Sequence, residues 1–346
     1  MKMNKKSKRL FTTAAGAAML LSGCAQNVVQ DEAVADTNYG AAAEAASDVV
    51  LSKVANVQGD FSFDQETITP NDQMFNIFGT ALTGICAKPA YALGQGSANY
   101  YINVGGKISE GYSVDLTAMS EEKSTTRTML CACATGSATA MGNVTGIKVA
   151  DVIQMADIDE GVNTIKVIGA DGYGQEMPLS YVLEKEAMIV YRINGEDVPS
   201  GTQFWCPATV AKYFTRDVVE IQLLANAEEP VIEQRDDSLR AEICILNSTD
   251  AVFEVGQQIV FEGYADDFGD AIAAVEFSLD GGETWTAYET ENAYAERWVY
   301  WKFGYAPEAA GAYQLTVRAV TASGKVSPLA AAVDFTVAET DGTLGA

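Results

Sequence analysis

From about residue 240 onward the chain alternates between apolar and polar positions with a period of two. In "IAAVEFSLDGGETWTAY" (272–288), Val275, Phe277 and Leu279 fall on one side and their polar neighbours on the other. That is the pattern of a half-buried strand, and "DGG" (280–282) is a turn signal. The runs "AEICILNSTD", "QQIVFEGYADD", "ERWVYWKFGY", "GAYQLTVRAVTASGKVSP" and "AAVDFTVAET" repeat it. Residues 229–346 are therefore expected to form an all-β sandwich.

Upstream the grammar is mixed. "SANYYINVGG" and "TRTMLC" read as strands, the second ending at Cys131, and "YSVDLTAM" reads as a strand entering a helix. "VTGIKVADVIQMA" ends in a helix with Val149, Val152 and Ile153 on one face. "NTIKVIGADGYGQEMPLSYVL" reads as strand, turn, strand and short helix, and "AMIVYRINGEDVP" as a strand with an Asn-Gly turn. Short helices scattered among strands predict an α+β domain over 61–228, joined to the sandwich by the charged "NAEEPVIEQRDDS". Strand number and spacing in the second domain suit an immunoglobulin-like β-sandwich, without the intersheet cysteine spacing of antibody domains. Trp285, Trp298 and Trp301 are expected in its core or at the domain interface. Residues 24–60, rich in alanine and acids, read as a flexible tether.

Charge narrows the function. The 22 basic and 47 acidic side chains leave a net charge of −25, which repels nucleic acid. Histidine is absent, which removes Ser-His-Asp triads, Cys/His zinc sites and imidazole acid–base chemistry. At the N-terminus, basic "MKMNKKSKRL", weakly apolar "FTTAAGAAML" and "LSGC" form an export signal too short to stay as a membrane span. Together they resemble the lipobox of bacterial lipoproteins. That resemblance implies a signal peptide over 1–23, lipidation of Cys24 and an extracytoplasmic protein anchored to the cell membrane. Loss of residues 1–23 removes five cations and takes 22 − 47 = −25 to 17 − 47 = −30. "SKRLF" (7–11) resembles a twin-arginine export motif with lysine in the first arginine position, and a general secretory signal is the other reading.

"GYADDFGDAIAAVEFSLDGGETWTAY" (263–288), with "ERWVYWKF" and "GAYQLTVRAVTASGKVSP" after it, is similar to the C-terminal domain of the sulfite-oxidase-fold molybdopterin-dependent oxidoreductases. "TMLCACA" (128–134) resembles the strand of that family that ends in its molybdenum-binding cysteine. "MGNVTGIKVADVI", "GADGY" with "MPLSYVL", and "YRINGEDVP" follow in the family's order. The resemblance implies a molybdopterin cofactor with Cys131 as metal ligand and catalytic residue, a soft thiolate suited to molybdenum. It points to Asn76, in "FNIFGTA", Asp171 and Lys212 as cofactor contacts, and to Tyr173 and Tyr191 as donors to substrate or an oxo group. Each has a structural alternative: Asp171 as a turn former, the tyrosines as packing groups, Lys212 as a solvated lysine. The family's glycine and asparagine after the ligand cysteine are here Cys133 and Ala134, and Val144 stands for its tryptophan. Its phosphate-binding arginine is missing from the compressed "GTQFWCPATVAKYF".

Cysteine arithmetic leaves Cys131 open. Apart from Cys24 there are Cys86, Cys131, Cys133, Cys206 and Cys244, and one ligand plus two disulfides is one account of them. Three functions are consistent with these residues. One is a membrane-tethered oxidoreductase moving oxygen atoms or electrons to or from a small substrate other than sulfite, with a membrane redox partner. The alternative is a cofactor-less descendant of the fold that binds a partner or small molecule at the cell surface. The third is a structural part of a surface redox assembly. Monomer and homodimer are both compatible with the sequence.

Overall fold

In this computed structural model the described residues are 50–71, 74, 99–133, 139–198, 201–267 and 269–339. The first domain contains β2 (Tyr101–Gly106), β3 (Tyr112–Asp115), α1 (Leu116–Lys123), β4 (Thr125–Ala132), β5 (Thr139–Lys148) and α2 (Val149–Val152). These are followed by β6 (Thr164–Gly169), β7 (Glu176–Pro178), α3 (Leu179–Glu184), β8 (Met188–Ile193), β9 (Glu196–Asp197), β10 (Gln203–Trp205), β11 (Thr215–Arg216) and β12 (Val218–Leu224). The sandwich has β13 (Glu242–Ile245), β14 (Ala251–Glu254), β15 (Ile259–Asp266), β16 (Ile272–Ser278), β17 (Thr286–Glu289), β18 (Val299–Tyr305), β19 (Gly311–Thr321) and β20 (Ala331–Ala338). It also takes in β1 (Asp60–Asp64) from ahead of the first domain.

Local chemistry sets the element ends. Asp115 caps α1 by accepting from the amides of Thr117 (2.9 Å) and Ala118 (3.4 Å). The Asn194-Gly195 pair takes positive φ, 49° and 84°, and folds β8 back onto β9. Two sheets build the first domain: β11-β10-β8-β5-β4, with β9 on β8, and β3-β2-β12-β6-β7, in which β12 runs parallel to β2. Ile147, Val149, Val152, Ile165, Ile189, Phe204 and Ile221 lie in the core between them. The sandwich pairs the sheets β1-β18-β15-β13 and β14-β20-β19-β16-β17 around Phe261, Phe277, Trp301, Phe303 and Phe335.

The architecture is the expected α+β domain followed by a β-sandwich. Two segments lie elsewhere than their place in the sequence suggests. β1 falls inside the span 61–228 yet pairs with β18, because Phe61 and Phe63 belong to an aromatic cluster in which Phe61 meets Phe277 and Tyr288. Within the expected tether, Leu51 bridges to Ala312 and Val54 to Leu279, so this stretch runs along the sandwich. Trp301 is fully buried in the sandwich core, and Trp298 joins Leu130, Met141, Cys244 and Tyr264 in a cluster between the domains. Trp285 instead packs under Arg318, whose guanidinium carbon lies 4.0 Å from the ring centroid. Among the described residues no helix is long and apolar enough to cross a membrane.

Candidate functional site

Strand alternation decides what Cys131 meets. On β4, Met129 and Cys131 share one face, and their partners on β5 are Gly142 and Ala140. That face of the six-stranded sheet carries Val144, Met188, Val190 and Trp205, and Ala211 and Phe214 close over it. Cys131 is 1% exposed. Trp205 and Phe214 meet edge to face with centroids 5.2 Å apart, and the indole N–H donates to Gln203 Oε1 at 2.9 Å. The thiol thus shares its cluster with seven other buried apolar side chains, one of them Val144 at the position of the family's tryptophan.

The other expected site residues scatter around this cluster. Lys212 sits in a short 3₁₀ turn, Ala211–Tyr213, whose first residue enters the apolar cluster. Its ammonium is paired with Glu233 and lies 5.0 Å from the Tyr213 ring centroid. Burial works to lower the Lys212 pKa, but the bond to Glu233 and the Tyr213 hydroxyl leave it raised. Tyr173 donates to the Lys212 carbonyl at 2.6 Å, and burial raises its pKa. Asp171 accepts from the Tyr173 amide at 2.9 Å, closing a turn in which Gly172 has φ 82°. Tyr191 packs with the core on the opposite face of β8 from Val190, and its hydroxyl lies 2.6 Å from Ser124 Oγ. The structure therefore brings Tyr173, Asp171 and Lys212 into one run of contacts and puts Tyr191 on the other side of the sheet. Asn76, Cys24 and Cys86 lie outside the described residues.

The account with two disulfides is corrected. Cys131, Cys133 and Cys206 are thiols, while Cys244 is disulfide-bonded, so the five cysteines form at most one bridge. Cys206 is buried in the main core of the first domain, not beside Cys131, and burial pushes its pKa up.

A second cluster lies just past Cys131, where the domains meet. Arg235, from the charged connector, is fully buried beside Glu242 (3.2 Å) and Asp266 (3.4 Å) and also donates to the Cys133 carbonyl at 3.4 Å. Glu242 and Asp266 are opposite residues on β13 and β15, and Thr139 at the head of β5 donates to Glu242 at 3.4 Å. Burial and the Asp266 charge push the Glu242 pKa well above the usual carboxylate range. Burial also raises Asp266. One proton between the carboxyls is the arrangement that leaves the cluster neutral beside Arg235. Next to it Asp267 holds Arg240 at 2.5 Å and accepts from the Ala241 amide at 2.9 Å.

Among the described residues the donor set does not fit a molybdopterin. A pterin phosphate needs several charge-assisted donors directed into one pocket. Lys212 is committed to Glu233, Arg235 to Glu242 and Asp266, and Arg216 lies in the field of Asp217 and Asp171. The Cys131 thiol is buried in one apolar cluster with the Trp205–Phe214 pair. Among the described residues no three His, Cys, Asp or Glu side chains gather to hold a metal ion. Sequence reading missed both clusters. Trp205 and Phe214 lie in the compressed "QFWCPATVAKYF", where the signal was a strand with tryptophan facing the same way as Met188. The charged cluster gave no local signal, since Glu242 and Asp266 follow Arg235 by 7 and 31 residues with no motif between them.

Residues 91–204 match the family model of the oxidoreductase molybdopterin-binding domain. The match spans less than half of the chain and shows the likeness of these residues to that domain. The sulfane dehydrogenase SoxCD from Paracoccus pantotrophus has a similar fold, with TM-score 0.56 and 16% identity, covering 66% of this chain and 68% of that one. Domains 4 and 5 of the surface-layer protein SbsC align over 62% of this chain and 96% of their own at 16% identity, but with a TM-score of 0.20 they carry no argument about fold. No curated protein matches the sequence.

Proposed function

We propose that this protein is a cofactor-less descendant of the molybdopterin-oxidoreductase fold that works as a binding or partner module at the cell surface, anchored outside the cytoplasm through lipidated Cys24. The supporting observation is that Cys131 is buried in an apolar cluster that includes Trp205 and Phe214. The engagement of Lys212 by Glu233 agrees with it. The match of residues 91–204 to the molybdopterin-binding domain supports the other reading, an oxidoreductase transferring oxygen atoms or electrons on a small substrate, with Cys131 as metal ligand.

Elemental analysis separates the two. The full chain, produced in a host that makes molybdopterin, is expected to carry no molybdenum, and Cys131→Ser is expected to leave metal content unchanged. About one molybdenum per chain, lost in Cys131→Ser, would overturn the module reading. Globomycin-sensitive processing and partition into membranes, both abolished by Cys24→Ala, test the anchor.

A further inference from the structure

Two carboxylate oxygens in the junction cluster lack a donor. Among the described residues, Glu242 Oε1 and Asp266 Oδ1 are buried and receive no hydrogen bond from any N–H or hydroxyl. Their residues stand opposite each other in the β13–β15 register, with side chains 2% and 1% exposed. Ionised carboxylates are acceptors only, so a bond between these two groups needs a proton. One shared proton gives the two oxygens each other as partners and leaves the pair with a single negative charge. Arg235 neutralises that charge. The other polar neighbours leave this balance intact. Burial pushes the Tyr264 pKa up and keeps its hydroxyl neutral, and Asp267, whose charge also raises Asp266, is itself paired with Arg240. From the first domain, among the described residues, come the Thr139 hydroxyl and the Cys133 carbonyl, neither of them charged.

The cluster is held unevenly on its two sides. Within the sandwich, the β13–β15 ladder runs through Glu242 and Asp266. The neighbouring Ala241 gives its amide to Asp267 at 2.9 Å and takes the Ser327 hydroxyl on its carbonyl. Toward the first domain there are two bonds, from Thr139 to Glu242 and from Arg235 to the Cys133 carbonyl, both 3.4 Å and longer than ordinary hydrogen bonds. Loss of the shared proton leaves one guanidinium against two carboxylates, 1 − 2 = −1, at a place closed to water. A net charge so buried is strongly unfavourable. Water relieves it most easily along the side with the weaker bonds, which is the boundary with the first domain.

We propose that the proton shared by Glu242 and Asp266 locks the domain junction: while it is held, the first domain closes over the pair, and its release to solvent opens the boundary at Thr139 and Cys133. The opening is local, because the apolar cluster of Leu130, Met141, Tyr264 and Trp298 also joins the domains and carries no proton that must leave. Linkage fixes its pH dependence. The closed pair holds a proton that the opened, hydrated pair gives up in the ordinary carboxylate range. The junction is therefore tightest in acid. From the ordinary glutamate range upward the opening constant grows about tenfold per pH unit, one proton being released per opening. It levels off once pH passes the raised value of the closed pair.

Three buried thiols make the test local. Cys133 lies at the junction and is 4% exposed, whereas Cys131 and Cys206 are 1% and 0% exposed within the first domain. The full chain is labelled with a maleimide from about pH 5 to about pH 10, and each thiol is followed by peptide mass spectrometry. Dividing the Cys133 rate by that of a peptide of residues 132–138 removes the titration of the thiol itself. The corrected Cys133 rate is expected to rise about tenfold per pH unit and then level off, while Cys131 and Cys206 lag behind it. Glu242→Gln keeps a donor toward Asp266 with no proton to lose, and is expected to give a flat profile. Should that variant unfold, Asp266→Asn is expected to do the same. The proposal is overturned if the parent profile is flat, or if a folded variant keeps the parent's slope. It is also overturned if all three thiols rise together, which assigns the proton to unfolding of the whole chain.

Discussion

Cys131 and Cys133 lie two residues apart at one strand end, and the Cys131 side chain and the Cys133 carbonyl meet different surroundings. Cys131 lies in a cluster with seven other buried apolar side chains, Trp205 and Phe214 among them. The Cys133 carbonyl faces Arg235, which is held between two buried carboxyls. The buried charge of Arg235, Glu242 and Asp266 stands beside the second of the two cysteines, at the junction of the two domains.

The comparison breaks most readily at its two centres. Trp205→Ala removes the largest side chain of the apolar cluster and is expected to cost about 3–5 kcal/mol, read as a lower urea midpoint. Partial refilling by cofactor in a molybdopterin-producing host would show that only the indole keeps the site closed. Arg235→Ala leaves Glu242 and Asp266 buried without their cation, and about 3–5 kcal/mol is expected here too. The two losses differ in their pH profiles: the first is expected to be independent of pH, and the second to shrink in acid as the carboxyls become protonated.

Smaller changes sharpen the contrast. Cys131→Ser puts a hydroxyl among apolar groups and is expected to destabilise by about 1–3 kcal/mol, whereas Cys131→Val is expected to cost less. A ligand cysteine would show its loss in metal content and not in this order of stabilities. Glu242 has a raised pKa in the folded protein, so the native state binds more protons than the unfolded chain once pH passes the ordinary glutamate range. Its stabilising share is full below that range and is lost as pH rises through the raised value. Glu242→Gln keeps a donor toward Asp266 without the charge. It is expected to match the parent in acid and to exceed it in urea midpoint at neutral pH and above.

The period-two pattern made the sandwich and most strands legible, because Val275, Phe277 and Leu279 all bury on one face of β16 and the turn after it. The Asn-Gly turn after β8 was legible for the same reason: its conformation is dictated within two residues. The site was readable only as far as the strand ending near Cys131. What surrounds the thiol depends on Met188, Trp205 and Phe214, which lie 57, 74 and 83 residues after Cys131 in the sequence. The junction cluster has the same origin, since Arg235, Glu242 and Asp266 come from a connector and two strands of different hairpins. β1 joined the sandwich because Phe61 and Phe63 found an aromatic surface there, which no local pattern announces.

The smallest expected effect tests the most exposed part of the comparison. Lys212 is the one expected cofactor contact that touches the apolar cluster through its neighbour, Ala211. If it is a solvated lysine paired with Glu233, Lys212→Met loses an exposed ion pair and a contact with the Tyr213 ring, about 0–1 kcal/mol. Tyr173 still donates to the backbone carbonyl at 212, so the turn through Asp171 keeps its anchor. If instead Lys212 serves an anionic ligand, the same variant leaves stability alone in the bare protein but lowers the thermal shift produced by added phosphate or pyrophosphate. A differential scan with and without pyrophosphate decides between these. An equal melting temperature in both buffers, for parent and variant alike, is the result expected of a closed site.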